Sequence, residues 1–183
     1  MSAAKKFWAS IWEVLEIVLI SVVTVFVIRQ FLAQPFLVSG ASMEPNFSDG
    51  QYLIIDEITY RFREPERGEV VVFRYPKNRK VFFIKRIVGL PGERVVIRDG
   101  KVRVFHGQKG VVLDEAYIQD NEATIGAVDM TLDAGQYFLL GDNRSHSFDS
   151  RSWGSVSRKD IIGIARLRLF PLNHLGVIEK PSY

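Results

Sequence analysis

Residues 94–106 have the sequence RVVIRDGKVRVFH, in which two short runs rich in β-branched residues flank the dipeptide Asp99-Gly100. A type I′ turn requires positive φ at both central residues, and Asp-Gly is one of the pairs that adopts it most readily. Apolar and charged side chains alternate in both runs, as in strands with one buried face. The stretch therefore predicts an antiparallel β-hairpin.

Similar Val-, Ile- and Phe-rich runs follow one another after Pro35, with Gly, Pro, Asn and Asp between them. Short strands separated by turn residues are typical of all-β domains. We expect a mainly β, antiparallel, barrel-like domain with a long polar loop over residues 141–154. Residues 61–67 are charged and contain a proline, which predicts a loop. The other predicted strands are residues 52–58, 69–75, 80–88, 137–140 and 161–170.

The composition excludes several classes of site. The chain has 183 residues, no cysteine and a net charge of +3. Without cysteine there are no disulfides, no thiolate nucleophile and no cysteine-ligated metal. A charge excess this small gives no reason to expect nucleic acid as a partner. With 47% hydrophobic residues, the chain can bury a core, which argues against disorder.

An uncharged run of twelve residues, IVLISVVTVFVI, occupies residues 17–28. A helix needs about 20 apolar residues to cross a bilayer, so the run is too short without its flanks. Trp8 and Trp12 suit an aromatic belt at one interface, and Arg29 can extend its charge to water at the other. Residues 12–33 would then form a helix about 33 Å long, enough to span the hydrocarbon core.

The charges around this segment predict its orientation. Lys5 and Lys6 precede the apolar run, so the positive-inside rule favours a cytoplasmic N-terminus and an exported remainder. We therefore divide the chain into a tail and anchor helix over residues 1–34 and a β domain over residues 35–183. A cleaved signal peptide and a buried core helix remain alternatives.

One serine has the surroundings of a nucleophile. Ser42 lies in SGASMEP, residues 39–45, where small residues and a proline predict a turn that exposes its Oγ and backbone N–H. An ordinary turn serine fits the same sequence. A nucleophilic serine needs a base within hydrogen-bond reach. His146, with Asp142 or Asp149, would complete a Ser/His/Asp set, although polar loops commonly collect such residues.

Lys85 is a second candidate base, because it lies within the apolar run VFFIKRIV of residues 81–88. Strand alternation places its side chain on the same face as Phe83 and Ile87. Burial beside apolar neighbours would lower the pKa of the lysine from about 10.4 and leave the amine neutral, as a general base must be. Alternatively, Lys85 lies on an edge strand and extends to water.

Four stretches of the chain, taken in order, resemble the bacterial type I signal peptidases, which are membrane-tethered Ser/Lys endopeptidases. The stretches are PFLVSGASMEP at 35–45, RGEVVVF at 67–73, FIKRIVGLPGE at 83–93 and GDNRSHSFDSR at 141–151. The resemblance implies a mainly β catalytic domain behind one N-terminal transmembrane helix. The segment between the last two stretches is too short for the large extra β domain of some relatives, which indicates a compact form.

The resemblance also implies roles for individual residues. Ser42 would be the nucleophile, its backbone N–H an oxyanion donor, and Lys85 the general base. Ser147 would orient the Lys85 amine through a hydrogen bond. The residues that would brace the catalytic loop are Asp142, Asp149 and Arg151, with an Asp149–Arg151 ion pair.

Further positions match the substrate pockets of the family, which admit small side chains at the −1 and −3 positions and reject larger ones. Gly40 stands where some relatives carry a serine whose hydroxyl is a second oxyanion donor, so that donor is missing from this position. The substrate-binding residues that the resemblance implies are Phe36, Val38, Gly40, Met43, Phe83 and Ile84.

The function implied by the resemblance is the removal of N-terminal signal peptides from exported preproteins after Ala-X-Ala sites, through an acyl-enzyme. Neither a metal nor another cofactor is expected, and the expected partners are preproteins and the lipid bilayer. The expected location is the bacterial inner or plasma membrane, crossed once, with the catalytic domain on the exported side. The alternatives are a membrane-tethered, non-catalytic β module and a self-cleaving Ser/Lys regulator, although such regulators carry a DNA-binding domain where this chain has an apolar segment.

Overall fold

The computed structural model describes residues 3–31, 33–118 and 123–181. Its helices are α1 (Ala3–Phe31), α2 (Thr59–Phe62) and α3 (Ser150–Trp153), with 3-10 turns at Arg158–Asp160 and Leu172–His174. The first six strands are β1 (Ala33–Leu37), β2 (Tyr52–Asp56), β3 (Val70–Tyr75), β4 (Asn78–Gly89), β5 (Arg94–Arg98) and β6 (Lys101–His106). The others are β7 (Lys109–Val112), β8 (Val128–Thr131), β9 (Gln136–Leu140), β10 (Val156–Ser157), β11 (Ile161–Phe170) and β12 (Gly176–Val177).

The described strands form two antiparallel sheets. The larger has the order β1-β2-β11-β3-β4-β9-β10, with β12 paired to β11, and the smaller has the order β7-β6-β5-β8. The prediction of a mainly β, antiparallel domain is therefore confirmed. Within the part of the chain that is described, the larger sheet is an open path whose end strands are β1 and β10.

The hairpin of residues 94–106 forms as predicted. β5 pairs with β6 from Arg94 opposite Phe105 to Arg98 opposite Lys101. Asp99 has φ 55° and Gly100 has φ 72°, so both turn residues are in the left-handed region that a type I′ turn requires. The buried face of the hairpin packs against β4 and β9 of the larger sheet, because Val88, Phe138 and Leu140 join one core cluster with valines of β5 and β6.

A second core cluster lies beneath the segment that links β1 to β2. Met43 and Phe47 from this segment are 1% and 2% exposed, and they pack with Leu53 of β2 and Val72 of β3. Burying an apolar side chain of this size stabilises a fold by roughly 1.5–3 kcal/mol. Val38, which precedes Ser42, is buried in the same cluster, so the linker is fixed to the sheet on both sides of Ser42, although it has no regular secondary structure of its own.

The predicted strand positions are mostly correct, and the misses have simple causes. β1 was not predicted because it contains Pro35, which removes a backbone donor; the strand tolerates a proline because it lies at the end of the sheet. β7, β8, β10 and β12 are only two to four residues long and were also missed. The predicted loop over residues 61–67 begins inside the short helix α2.

The N-terminal segment is helical from Ala3 to Phe31, and its large apolar side chains from Trp12 to Phe26 are 51–71% exposed. The interpretation as a buried core helix is therefore wrong. The predicted orientation of this segment rests on Lys5, Lys6 and Arg29, whose side chains lie outside the described part of the structure. No helix among the described residues is long and apolar enough to cross a membrane.

Candidate active site

Ser42 lies in the linker between β1 and β2, immediately before the buried Met43. Gly40 turns the chain with φ 88°, and its N–H donates to Asp49 Oδ1 at 2.7 Å. One turn further, the N–H of Phe47 donates to the carbonyl of Met43 at 2.9 Å. These bonds and the two buried anchors fix the backbone around Ser42, whose side chain is partly exposed.

Lys85 is brought directly to this serine by the larger sheet. It lies on β4, which is an interior strand between β3 and β9, and the residue is 3% exposed. Its Nζ lies 2.5 Å from Ser42 Oγ and 2.9 Å from the carbonyl oxygen of Ile84. The alternative that placed Lys85 on an edge strand is therefore wrong, and the lysine does not extend to water.

The surroundings of Lys85 disfavour its charged form. Burial lowers the pKa of Lys85 to about 8, although the negative charges of Asp149 and Asp142 act in the opposite direction. The ring of Phe83 lies with its centroid 5.6 Å from Nζ and contributes to the apolar environment. Close to pH 8, a large share of the molecules therefore carries a neutral amine beside Ser42.

Asp142 connects the segments that carry these two side chains. It accepts from Arg86 Nε at 2.8 Å and Nη2 at 2.6 Å, and from Asn46 Nδ2 at 2.9 Å. Arg86 follows Lys85 in the chain and also donates to the carbonyl of Gly68 at 2.8 Å. The Arg86 and Asp142 side chains are 4% and 0% exposed, so the ion pair is fully removed from water.

Asp149 and Arg151 form the expected ion pair. Arg151 donates from Nε to Oδ1 and from Nη2 to Oδ2, both at 2.8 Å, and the Asp149 side chain is completely buried. Asp149 Oδ2 also accepts from the N–H of Gly141 at 3.1 Å. Arg151 reaches the carbonyls of Arg144 and Ile125 at 2.8 and 2.9 Å, so the pair ties both ends of the catalytic loop, residues 141–151, together.

Ser147 is placed differently from what the resemblance implies. Its Oγ is buried and has no hydrogen-bond partner among the described residues, so it does not orient the amine of Lys85 in this structure. The Ile84 carbonyl contacts the amine instead. Ser147 packs over Gly141, where a Cβ would lie 2.1 Å from Ser147 Oγ and 2.4 Å from the carbonyl oxygen of Ser42. Only glycine fits at position 141.

An apolar cleft of about 310 Å³ opens beside the Ser42–Lys85 contact. Five of the six residues expected at the substrate pockets line it, but Met43 does not, because its side chain points into the core beneath the linker. The expectation for Met43 is therefore wrong. Sequence reasoning missed other lining residues, whose only signal was apolar character near the matched stretches: Leu37, Leu53, Val72, Phe82 and Phe148.

His146 also lines the cleft, but the Ser/His/Asp set does not form. Its Nδ1 lies 2.7 Å from Ser145 Oγ. Both candidate carboxylates accept hydrogen bonds from other groups. Asp142 accepts from Arg86 and Asn46, and Asp149 accepts from Arg151 and from the backbone N–H of Gly141. Among the described residues, no group of three or more His, Asp or Glu side chains is arranged to hold a metal ion.

The chain was compared with known proteins. Residues 11–170 match the family model described as "Signal peptidase, peptidase S26". The "Probable signal peptidase I-2" of Synechocystis sp. is 42% identical over 161 residues, which cover 85% of this chain and 71% of that protein. "Signal peptidase I" of Leptolyngbya laminosa is 37% identical, with 90% and 82% covered. A solved structure of a signal peptidase I from Enterococcus faecalis is 32% identical to this chain, with a TM-score of 0.47. The match covers 56% of this chain and 97% of that one.

Removing the charge of Asp142 tests the bracing of the site. Asp142→Asn leaves the Arg86 guanidinium buried without its counter-charge, so we expect the free energy of unfolding to fall by roughly 3–5 kcal/mol. Urea denaturation of the full chain in detergent, followed by tryptophan fluorescence, measures the change. The control is Asp129→Asn, which breaks an exposed pair with Arg94 and should change stability little. Equal losses in the two variants would contradict the assignment.

Proposed function

Because the chain belongs to the S26 family of signal peptidases and is a serine endopeptidase, we propose that Ser42 is its nucleophile and Lys85 its general base. The observation that carries this proposal is the 2.5 Å approach of Lys85 Nζ to Ser42 Oγ, made by a lysine that is 3% exposed. A nucleophile and a base within hydrogen-bond reach are the minimum that acyl transfer by serine requires.

The chemistry follows from which atom can hold the proton. The neutral amine of Lys85 accepts the proton of Ser42 Oγ while Oγ attacks the carbonyl carbon of the scissile peptide bond. The ammonium then protonates the leaving amine, and the acyl-enzyme ester remains on Ser42. In the second half, Lys85 removes a proton from water, the hydroxide attacks the ester, and the same proton returns to Ser42 as the acid product leaves.

The negative charge that develops on the carbonyl oxygen needs hydrogen-bond donors. We assign the backbone N–H of Ser42 to this role, since it lies in a turn that is anchored on both sides. Gly40 has no side chain to act as the second donor.

The walls of the cleft account for substrate choice. Phe36 and Val38 come from the β1 side, and Phe83 and Ile84 come from β4. We propose that these side chains form pockets that admit Ala-sized groups and exclude larger residues at the −1 and −3 positions. Among the described strands β1 ends the larger sheet, and an extended substrate segment can pair with the outer edge of such a strand through main-chain hydrogen bonds. The proposed substrates are therefore preproteins with small residues before the cleavage point.

Replacing either member of the pair should abolish cleavage. We expect Ser42→Ala and Lys85→Ala to lower kcat by about a thousandfold or more, because a nucleophile and its base act as one unit. Cleavage of a preprotein with an Ala-X-Ala site by the purified full chain, followed by gel electrophoresis, measures the loss. Ser152→Ala and Lys101→Ala, at exposed positions, are the matched controls. Full cleavage activity in the Ser42 and Lys85 variants would contradict the roles proposed for the two residues, whereas a parent that cleaves nothing would favour the non-catalytic β module.

The rate should follow the titration of Lys85. The group reacts only when deprotonated and burial lowers its pKa to about 8, so kcat/KM should rise with pH and level off above about pH 8. Below that pH the ammonium accumulates and the rate should fall about tenfold per pH unit. A pH series on the parent and on His146→Ala measures the midpoint. Loss of this pH dependence in His146→Ala would instead assign the base to His146.

We further propose that α1 crosses the bacterial cell membrane, with the N-terminus in the cytoplasm and the β domain on the exported side. Its large apolar side chains from Trp12 to Phe26 are more than half exposed, and a surface of this size is unfavourable in water. The described residues alone contain no span that is long and apolar enough, but the whole 29-residue helix is about 43 Å long, which exceeds the hydrocarbon thickness of about 30 Å. Leu37 and Phe82, 55% and 46% exposed beside the cleft, would touch the outer leaflet.

Charges in the middle of α1 test the anchor. Ile20→Lys with Val23→Lys should move the protein out of the carbonate-resistant membrane fraction, because each lysine at a helix centre opposes insertion by roughly 2.5–3.5 kcal/mol. Val111→Lys with Val112→Lys, on the exposed strand β7, is the matched control and should fractionate like the parent. An unchanged membrane fraction for the α1 variant would mean that α1 is not the anchor.

A further inference from the structure

We propose that residues 113–118 and 123–125, called the strap here, position the catalytic loop, and that Glu115 is a positioning residue for the Ser42–Lys85 pair. The proposal rests on the function proposed above. The strap lies between β7 and β8 in the chain. Both of these strands belong to the smaller sheet, whereas Lys85 lies in the larger one. None of its residues lines the substrate cleft.

The strap holds the catalytic loop through Arg144, whose side chain is 0% exposed. Glu115 accepts from both terminal nitrogens of Arg144, at 2.9 Å for Nη1–Oε2. Thr124 Oγ1 accepts from Nη1, and Tyr117 Oη accepts from Nη2 at 3.2 Å. A buried guanidinium requires a paired carboxylate, and Glu115 supplies it. The strap therefore provides the acceptors on one side of this guanidinium.

The other side of Arg144 holds the loop next to the nucleophile. Arg144 Nε donates to the carbonyl of Gly141 at 3.0 Å. Gly141 is the residue that lies against the Ser42 carbonyl and leaves no room for a Cβ. Two residues on, Asn143 donates from its N–H to the Ser42 carbonyl at 3.2 Å and from Nδ2 to the Ala41 carbonyl at 3.0 Å. A shift of Arg144 would therefore be transmitted directly to the nucleophile turn.

Tyr117 gives the strap a second attachment, close to the base. The guanidinium carbon of Arg86 lies 4.2 Å from the centroid of its ring, and Arg86 is the residue after Lys85. The Tyr117 carbonyl accepts from Asn46 Nδ2 at 2.8 Å, and Asn46 also bonds Asp142. The hydroxyl of Tyr117 donates to Glu115 Oε1 at 2.8 Å, which joins the two attachments.

The strap is itself fixed to the smaller sheet. The N–H groups of Leu113 and Thr124 donate to the carbonyls of Val102 and Gly100, both at 3.0 Å. The side chains of Leu113 and Ile118 are 7% and 6% exposed. The strap is thus bonded to the smaller sheet at one side and to the catalytic loop, which carries Asp142 and Asp149, at the other.

Loosening the strap has a specific consequence. The charged groups acting on Lys85 are Asp149 and Asp142, both held by the catalytic loop. If the loop relaxes, the two carboxylates move away from the amine, which by itself lowers the pKa of Lys85. Water also reaches the amine, and the loss of desolvation, which is the largest of these influences, raises the pKa towards its ordinary value. The walls of the cleft that come from β1 and β4, where the proposed substrate pockets lie, stay in place, although His146 and Phe148 of the lining belong to the loop. Turnover and its pH midpoint should therefore change much more than KM.

Glu115→Gln in the full-length protein in detergent tests the proposal, with Asp114→Asn at the exposed neighbouring position as the control and Glu115→Asp as the conservative variant. We expect Glu115→Gln to lower kcat about ten- to a hundredfold with KM within about twofold. The pH midpoint should move to higher pH, and Glu115→Asp should lie between the variant and the parent. Amide hydrogen exchange should accelerate in residues 141–149 and stay unchanged in β5 and β6.

Parent-like kcat, midpoint and exchange in Glu115→Gln would overturn the proposal. So would a loss of kcat that disappears once the assay temperature is well below the melting temperature of the variant, because unfolding would then explain it. The exchange measurement needs no activity. If the parent protein cleaves nothing but exchange in residues 141–149 accelerates selectively in Glu115→Gln, the proposed function is contradicted and the positioning role of the strap is supported. If the parent protein is active but exchange in Glu115→Gln is unchanged, the proposed function stands and the positioning role is contradicted.

Discussion

The rest of the site depends on keeping the Lys85 amine out of water beside Ser42. Two carboxylates, Asp142 and Asp149, are close enough to favour the ammonium form, and either one could neutralise the effect of burial by pairing with the lysine. Each is engaged by an arginine instead, Asp142 by Arg86 and Asp149 by Arg151. The arginines therefore do more than stabilise the loop, because they occupy the acceptors that would otherwise favour the charged form of Lys85, which could not act as the proposed base.

Three arginines around the site share one pattern, in which a guanidinium binds a carboxylate and a backbone carbonyl at once. Arg86 reaches the Gly68 carbonyl, Arg144 that of Gly141, and Arg151 that of Ile125. The planar fork of arginine has enough donors for both tasks, whereas a lysine would have to choose between them. Before α3 begins, the catalytic loop has no regular backbone structure. The hydrogen bonds of these arginines hold its backbone in place, as strand pairing holds the backbone of the sheet.

The sequence was informative where a local rule decides the structure. The Asp99-Gly100 turn and the buried face of Lys85 both follow from spacing of one or two residues. Met43 was assigned to the substrate pockets through the matched stretch PFLVSGASMEP, which does not indicate that its side chain packs in the core beneath the linker. Glu115 gave no signal, because its partner Arg144 is 29 residues away and only the packing of two sheets brings them together. Contacts of that kind are not visible in the periodicity of one sequence.

The strand order has a consequence for biosynthesis. β11 lies between β2 and β3 in the larger sheet, although it begins only at Ile161. The linker that carries Ser42 leads into β2, and Lys85 lies on β4, which pairs with β3. Because β11 pairs with both β2 and β3, the sheet that brings the two side chains together is complete only when β11 has been inserted between those strands. If Ser42 and Lys85 act as proposed, a partly synthesised chain carries both groups but lacks the strand that holds their two segments side by side. The strand order would then keep the peptidase latent until β11 is in place.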